Sequence, residues 1–388
     1  MMKISNWAAL NLLAILLLPL MGCDHPSTAT DTDPKSMANV LGQTANGASD
    51  NAFSPVVLGY TFEFPRDHLA HNGFRQEWWY LTANLTTAGG EQLGAQWTQF
   101  RAALKPPQLS PQSQSTWASE QLYLAHSALT SSNTHLAHEK WSRHHREFAE
   151  VKLEPYQIRL DNWQWQSETN ALFPATLTVE NPDFSYQLKL NSQAPLQYQG
   201  TDGYSVKSHD GQVASYYYSQ PFIEITGEIN RNGKAERVTG QGWLDREWSS
   251  QFLTKTQQGW DWFALRLNDG STLMLFQLRD QSQTESAKNI PISAFYSARR
   301  MFADGTGRNI NSTDSPNDIQ MTPLKWQHTV NGDYPVSWQV KIPSENIDLT
   351  ITPLNPSSAM PLSTPYWEGP VQLSGSHAGT GYMELTGY

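Results

Sequence analysis

The chain reads as a succession of short segments in which apolar and polar residues alternate, separated by clusters of Gly, Pro, Asn and Asp. Alternation at period two puts successive side chains on opposite faces of a strand. It predicts strands over 77–85 and 92–104, paired across Ala88-Gly89-Gly90, and a third over 121–130. From residue 151 onward the signal returns about every 8–12 residues. Strands are expected at 157–160, 163–165, 175–179, 185–190, 213–218, 222–229, 236–244, 260–267 and 271–278. Others follow at 294–302, 322–326, 336–342, 347–352, 366–373 and 381–385. No amphipathic helix of three turns interrupts them. Such spacing is that of an all-β sandwich or barrel. So many strands do not fit one sheet, and 388 residues exceed one ordinary core. Two tandem barrels or sandwiches follow, 53–221 and 222–388, joined near 220–222.

The N-terminal end departs from this pattern. Lys3 precedes a mostly apolar run, 8–18, broken by Asn11, and then come Pro19, Leu20, Met21, Gly22 and Cys23. The run is too short and interrupted for a stable membrane span and reads as an export signal over 1–22. Leu20-Met21-Gly22-Cys23 resembles a bacterial lipobox, which implies cleavage before Cys23 and its lipidation. Asp24 then favours the inner membrane. Residues 23–52, rich in Ser, Thr, Asp, Pro and Gly, read as a flexible tether. The expected location is the cell envelope, lipid-anchored and facing the periplasm.

One stretch, residues 240–263, concentrates the candidate chemistry: Gly240-Gln241-Gly242-Trp243-Leu244-Asp245-Arg246-Glu247-Trp248, then Gly259-Trp260-Asp261-Trp262-Phe263. As a strand it places Trp243, Asp245 and Glu247 on one face and Leu244, Arg246 and Trp248 on the other. Buried carboxylates need partners. Arg246 points away from its two neighbours, so partners for Asp245 and Glu247 must come from elsewhere in the fold. A pocket and a structural ion-pair network are both consistent with that. The aromatic content, 15 Trp, 15 Tyr and 14 Phe, suits amphipathic pockets as well as sheet cores.

Charge and motifs remove other classes. A net charge of -10 disfavours sequence-independent nucleic-acid binding. Cys23 is the single cysteine, so no intrachain disulfide forms. There is no Gly-x-Ser-x-Gly elbow, phosphate-binding loop, HExxH or CxxC, and Ser249 and Ser250 lack a nearby His. No cofactor is expected. His68 and His71 sit between Pro65 and Gly73, in a loop, and His126 reads as a structural histidine of a half-buried strand. His135, His138, His144 and His145 read as an irregular surface segment, so no metal site is expected. The carboxylates beside aromatics, Glu77, Asp245, Glu247, Asp261 and Glu368, fit glycoside chemistry, water addition by general acid catalysis, or ties to Arg75, Arg246 and backbone amides.

Several blocks together resemble the AttH/CrtC family of lipocalin-like bacterial proteins related to carotenoid 1,2-hydratase. They are Glu77-Trp78-Trp79-Tyr80, His126-Ser127-Ala128-Leu129-Thr130, Ala214-Ser215-Tyr216-Tyr217-Tyr218-Ser219, the two segments of 240–263, Tyr366-Trp367-Glu368-Gly369, and Gly381-Tyr382-Met383-Glu384-Leu385-Thr386-Gly387-Tyr388. The likeness spans 57–388 and implies two lipocalin-like β-barrel domains packed together. Its members include hydratases of acyclic carotenoids, proteins that guide cyclisation of polyketide-like substrates, and proteins encoded beside ABC-transporter permeases. The carotenoid hydratases carry histidine in the segment that matches Asp245-Arg246-Glu247-Trp248, and an arginine there stays charged and cannot replace histidine as proton donor. Burial could fit Asp245 or Asp261 for that task.

The resulting expectation is a lipid-anchored protein that binds an apolar or amphipathic small molecule, possible partners including an ABC-type permease. Its pocket wall would use Trp78, Tyr80, Tyr217, Trp248 and Trp262, with Glu77, Arg246 and Glu247 as polar groups and Asp245 and Asp261 as the acids. The alternatives are an enzyme, a hydratase or hydrolase of an apolar substrate, and a structural partner of a permease.

Overall fold

A computed structural model describes residues 52–107, 119–280, 294–311 and 317–388. Cys23, Asp24 and the tether lie outside the described residues. The described chain is built from strands and short turns, without an α-helix.

Thirteen strands form the first sheet. They are β1 (Gln76–Thr87), β2 (Gln92–Ala103), β3 (Gln121–Thr130), β4 (His135–Arg143), β5 (Ala149–Lys152), β6 (Gln157–Leu160) and β7 (Trp163–Ser167). β8 (Ala175–Glu180), β9 (Phe184–Asn191), β10 (Gln197–Tyr198), β11 (Tyr204–Val206), β12 (Ala214–Arg231) and β13 (Lys234–Ser249) complete it. The order is β4-β3-β2-β1-β13-β12-β9-β8-β7-β6-β5, and β10 and β11 pair with β12. The path curls until β6 approaches β3 and β4, which makes a nearly closed barrel.

The second sheet takes β14 (Gln257–Leu267), β15 (Thr272–Asp280), β16 (Phe295–Met301), β17 (Gly307–Asn311) and β18 (Gln320–Thr329). β19 (Gly332–Ile342), β20 (Ile347–Pro353), β21 (Ala359–Met360), β22 (Tyr366–Gly375) and β23 (Gly379–Leu385) follow. Its order, β17-β16-β15-β14-β23-β22-β20-β19-β18, describes a half-barrel. The fold is therefore all-β, with two lipocalin-like units packed together.

Two local readings change. Residues 135–143 are regular: β4 pairs with β3 at the end of the sheet path, from Leu122↔Arg143 to Thr130↔His135. Its mixed histidine-rich sequence hides the alternation because neither of its faces is fully buried. The chain also does not change sheets at 220–222. Those residues lie inside β12, where the register against β13 shifts between Gln220 and Ile223. Such a bulge bends a strand without ending it. The sheets divide between Ser249 and Gln257 instead.

Strand parity sorts the side chains. In β1, Trp79, Leu81, Ala83 and Leu85 enter the first barrel's core, joined by Leu244 and Trp248 of β13. Tyr80 of β1, Tyr217 of β12 and Trp243 of β13 point outward, onto Trp262, Phe276 and Tyr382 of the second sheet. The second sheet keeps its own core on its far face, with Phe263, Leu265, Trp338, Trp367 and Met383. Arg266 of β14 rivets the seam. It donates to the Pro221 carbonyl at 2.9 Å and to the Gly242 carbonyl, two oxygens of the first barrel. At Gly94 the sheets come so close that a Cβ would lie 2.5 Å from both Pro370 and the Tyr382 hydroxyl. Only glycine fits there without displacing one sheet.

Inside the first barrel the carboxylate of Glu77 accepts from Arg101 Nε, from Arg246 Nη2, and from the His71 backbone N–H at 2.8 Å. Arg246 lies 3.9 Å over the Trp79 ring. Burial alone would push Glu77 up, but Arg101 and Arg246 overcome it and hold the carboxyl well below its usual range. Removing one member of such a cluster leaves a charge buried without its counterpart. Glu77→Gln is accordingly expected to cost about 3–5 kcal/mol of stability, measured as a fall in the urea midpoint with an unchanged slope.

Candidate active site

A cavity of ≈ 70 Å³ lies in the seam between the two sheets. That is room for several waters or for part of a small molecule. Its apolar wall includes Trp78, Phe100, Phe252, Trp262 and Phe276, and its polar groups are Thr98, Lys207, Asp245, Glu247 and Glu384 with the hydroxyls of Tyr80 and Tyr217. Strands β1, β2, β12 and β13 present one side of it, and β14, β15 and β23 the other.

Asp245 projects from β13 and is 1% exposed. Its Oδ2 accepts from the Tyr217 hydroxyl at 2.7 Å, and its Oδ1 from Trp243 Nε1 at 2.8 Å and from Ser219 Oγ. All three donors are neutral. Burial pushes the carboxyl up to about 7, against the pull of those hydrogen bonds and with a further push from Glu247. Asp245 can therefore hold a proton at neutral pH and still give it up.

Its neighbours differ. Glu247 is paired with Lys207 at 2.8 Å and accepts from Ser215. The Lys207 ammonium is held over Phe276 at 4.2 Å and Tyr217 at 5.0 Å. Glu384 of β23 accepts from Trp260 Nε1 at 2.8 Å. Burial also lifts Glu384 to about 7, with Asp245 and Glu247 adding to it. One ammonium thus faces three cavity carboxyls. Two of them, Asp245 and Glu384, exchange protons near neutrality.

The structure brings Trp78, Tyr80, Tyr217, Asp245, Glu247 and Trp262 together around this cavity. It puts the other expected residues elsewhere. Glu77, Arg246 and Trp248 face the inside of the first barrel, and Trp248 stacks on His71 with centroids 3.8 Å apart. They cannot line the seam because they alternate with residues that do. Asp261 shares the face of Phe263 on the second sheet's far side. There it pairs with Arg279 at 3.2 Å and accepts from Tyr388 at 2.8 Å and from Gln277. Burial raises Asp261 too, yet its partners make it a tie between β14, β15 and the C-terminal residues. Glu384 and Lys207 complete the polar set. Glu384 was legible only as a residue that shares a strand face with Tyr382, and it is the register of β14 and β23 that sets it opposite Trp262. Lys207 follows the short strand β11 and carries no pattern of its own.

Three further described histidines have structural partners. His68 Nδ1 lies 2.7 Å from the Tyr218 hydroxyl, and His138 Nε2 lies 2.7 Å from Asp183. His126 is wholly buried, with Nδ1 3.0 Å from the Tyr366 hydroxyl across the seam.

Comparison with known proteins agrees with this architecture. The chain is similar to a crystal structure described as an AttH from Nitrosomonas europaea, at 34% identity and a TM-score of 0.73, covering 87% of this chain and 99% of that one. It shares its fold with kievitone hydratase from Nectria haematococca, at 14% identity and a TM-score of 0.62, covering 89% of this chain and 97% of that one. Among curated proteins none matches. Residues 55–388 match the AttH-like family throughout, and the chain belongs to that family.

Proposed function

We propose that the seam cavity binds an apolar or amphipathic molecule and adds water to, or removes it from, an alkene in that molecule. The observation that carries this reading is Asp245, a buried carboxyl poised near neutrality on the wall of an aromatic cavity. In the hydration direction the Asp245 proton bonds to one alkene carbon. The adjacent carbon becomes electron-poor and takes the oxygen of water, while Glu384 accepts the proton that this water releases. The faces of Trp78, Trp262 and Phe276 and the carboxylate of Glu247 are suited to stabilise positive charge on the way. The fold shared with a hydratase makes water addition the first reaction to test. The proposal also retains the envelope location through Cys23, and a permease as the route by which the ligand arrives or leaves.

The test is incubation of the protein with envelope lipid extracts in ¹⁸O-labelled water, followed by mass spectrometry. A product heavier by one labelled water supports hydration. Ligand that co-purifies and never changes mass would leave binding alone. Asp245→Asn is expected to reduce turnover by about 10²–10⁴-fold. Because the acid must be protonated and the base ionised, and both lie at about 7, the rate should peak near neutral pH and fall on either side.

Stability gives a second, substrate-free check. An aspartate raised to about 7 keeps its proton in the folded state while the unfolded chain loses it above the ordinary value. The unfolded state then binds fewer protons, so this group's contribution falls as pH rises from about 4 to about 7. Asp245→Asn is expected to melt at a higher temperature than the parent at pH 8 and at a similar temperature near pH 4. A lower melting temperature across the whole range would show that the carboxyl is ionised and structural.

A further inference from the structure

Lys207 and Glu247 meet on the wall of the seam cavity, and neither exhausts the hydrogen-bonding capacity of the other. Lys207 Nζ lies 2.8 Å from Glu247 Oε1, and the same oxygen accepts from Ser215 Oγ. Glu247 Oε2 takes no hydrogen bond among the described residues. An ammonium carries three N–H groups. Lys207 Nζ has no second oxygen partner among the described residues, and the faces of Phe276 and Tyr217 flank it at 4.2 and 5.0 Å. Both side chains are deeply buried, 7% and 5% exposed. The main chain of Lys207 is fixed on both sides. Its N–H donates to the Val213 carbonyl at 2.7 Å, and its carbonyl accepts from Gln257 Nε2 of β14 at 3.0 Å.

We propose that this pair seats a neutral hydroxyl of the ligand, so that the substrate is an apolar alcohol or phenol whose alkene lies about 7 Å from its oxygen. The proposal rests on the reading of the cavity as a ligand site with Asp245 as its acid. A hydroxyl is donor and acceptor at once. It can donate to Glu247 Oε2 while it accepts from an N–H of Lys207. The pair as a whole carries no net charge. A ligand carboxylate would meet Glu247 beside Lys207, and a ligand ammonium would meet Lys207 beside Glu247. Each brings like charges together where little water screens them. A purely apolar end would leave both unspent groups dry, which costs more than the contact returns.

The span follows from strand geometry. Asp245 and Glu247 line the cavity from β13, two residues apart. A strand rises about 3.3 Å per residue, which sets the two side chains about 7 Å apart. With the hydroxyl on Glu247, the carbon that receives the Asp245 proton lies about that far along the ligand. The step balances. The alkene π bond breaks and its electron pair takes the Asp245 proton onto one carbon. The neighbouring carbon takes the oxygen of a water, and that water gives one proton to Glu384. Once the product leaves and water refills the cavity, Glu384 releases its proton to that water and Asp245 regains one from it. Lys207 and Glu247 hold the hydroxyl throughout and exchange nothing.

Binding of four compounds of similar shape to the full-length protein, measured by calorimetry, isolates the head group from the reaction. They are 4-isopropylphenol, isopropylbenzene, 4-isopropylbenzoate and 4-isopropylbenzylamine. The phenol is expected to bind about 10-fold tighter than each of the others. Glu247→Gln leaves Lys207 unmatched and should shift the preference towards the benzoate. Lys207→Met leaves Glu247 unmatched and should shift it towards the benzylamine. A pair that only held the fold would change stability without reordering the ligands. Should a single variant fail to fold, the double variant leaves neither charge unpaired, and in it the advantage of the phenol over isopropylbenzene should vanish. If the parent binds the hydrocarbon or a charged compound as tightly as the phenol, or if the order persists in the double variant, the hydroxyl seat is overturned and the cavity reading stands. Binding of none of the four would overturn both. The reaction is read separately with 4-isopropenylphenol in ¹⁸O-labelled water, since its terminal alkene carbon lies at a comparable distance from its oxygen. The expected order of binding with no labelled product would sink the hydration and leave the hydroxyl seat standing.

Discussion

Desolvation of carboxyl groups in the seam governs this molecule. Asp245, Glu247 and Glu368 are buried and Glu384 is half-buried where the two sheets meet, and Lys207 is the ammonium of the cavity that Asp245, Glu247 and Glu384 line. Charged carboxylates in such a place cost several kcal/mol each unless paired. The fold answers in two ways. Glu247 pairs with Lys207, whereas Asp245, Glu368 and Glu384 take neutral hydroxyl and indole donors and are raised towards the protonated form. The same apolar burial that closes the seam therefore sets the chemistry available in it.

The two faces of β1 and β13 show how one pair of strands can serve two ends. Their inner face holds Glu77 and Arg246 in a fully compensated cluster with Arg101, charged and fixed. Their outer face holds Tyr80 and Asp245 among neutral donors and carboxyls, with no cation in hydrogen-bond contact with Asp245 among the described residues. The register Tyr80↔Asp245 and Trp79↔Arg246 puts the two arrangements one residue apart. A slip of one position would exchange them and place a guanidinium in the cavity.

Much of this was legible in the sequence. Alternation placed most of the strands, and it separated Asp245 and Glu247 from Arg246 and Trp248. It also carried the information that Asp261 shares a face with Phe263 and not with Trp262. Composition invited the opposite grouping, because Trp and carboxylates crowd together along the chain irrespective of face. β4 was missed because an end strand with two half-buried faces has no strong period. Lys207 was missed because its role depends on tertiary placement beside Glu247, Phe276 and Tyr217, and nothing local marks it. The bulge near Pro221 looked like a domain join for a related reason: a proline and a register shift interrupt alternation whether or not the strand ends.

The pairing of β1 with β13 also bears on how the chain reaches this state. Gln76 lies opposite Ser249, so the first strand of the barrel acquires one of its two neighbours only after most of the barrel's sequence has been made. Closing so long a loop costs entropy before any contact repays it, and topologies of this kind fold slowly. Until then β1 has an open edge and an uncovered outer face of aromatic side chains. That half-built sheet is the species most exposed to mispairing with other chains, and chaperone demand should be greatest while it persists.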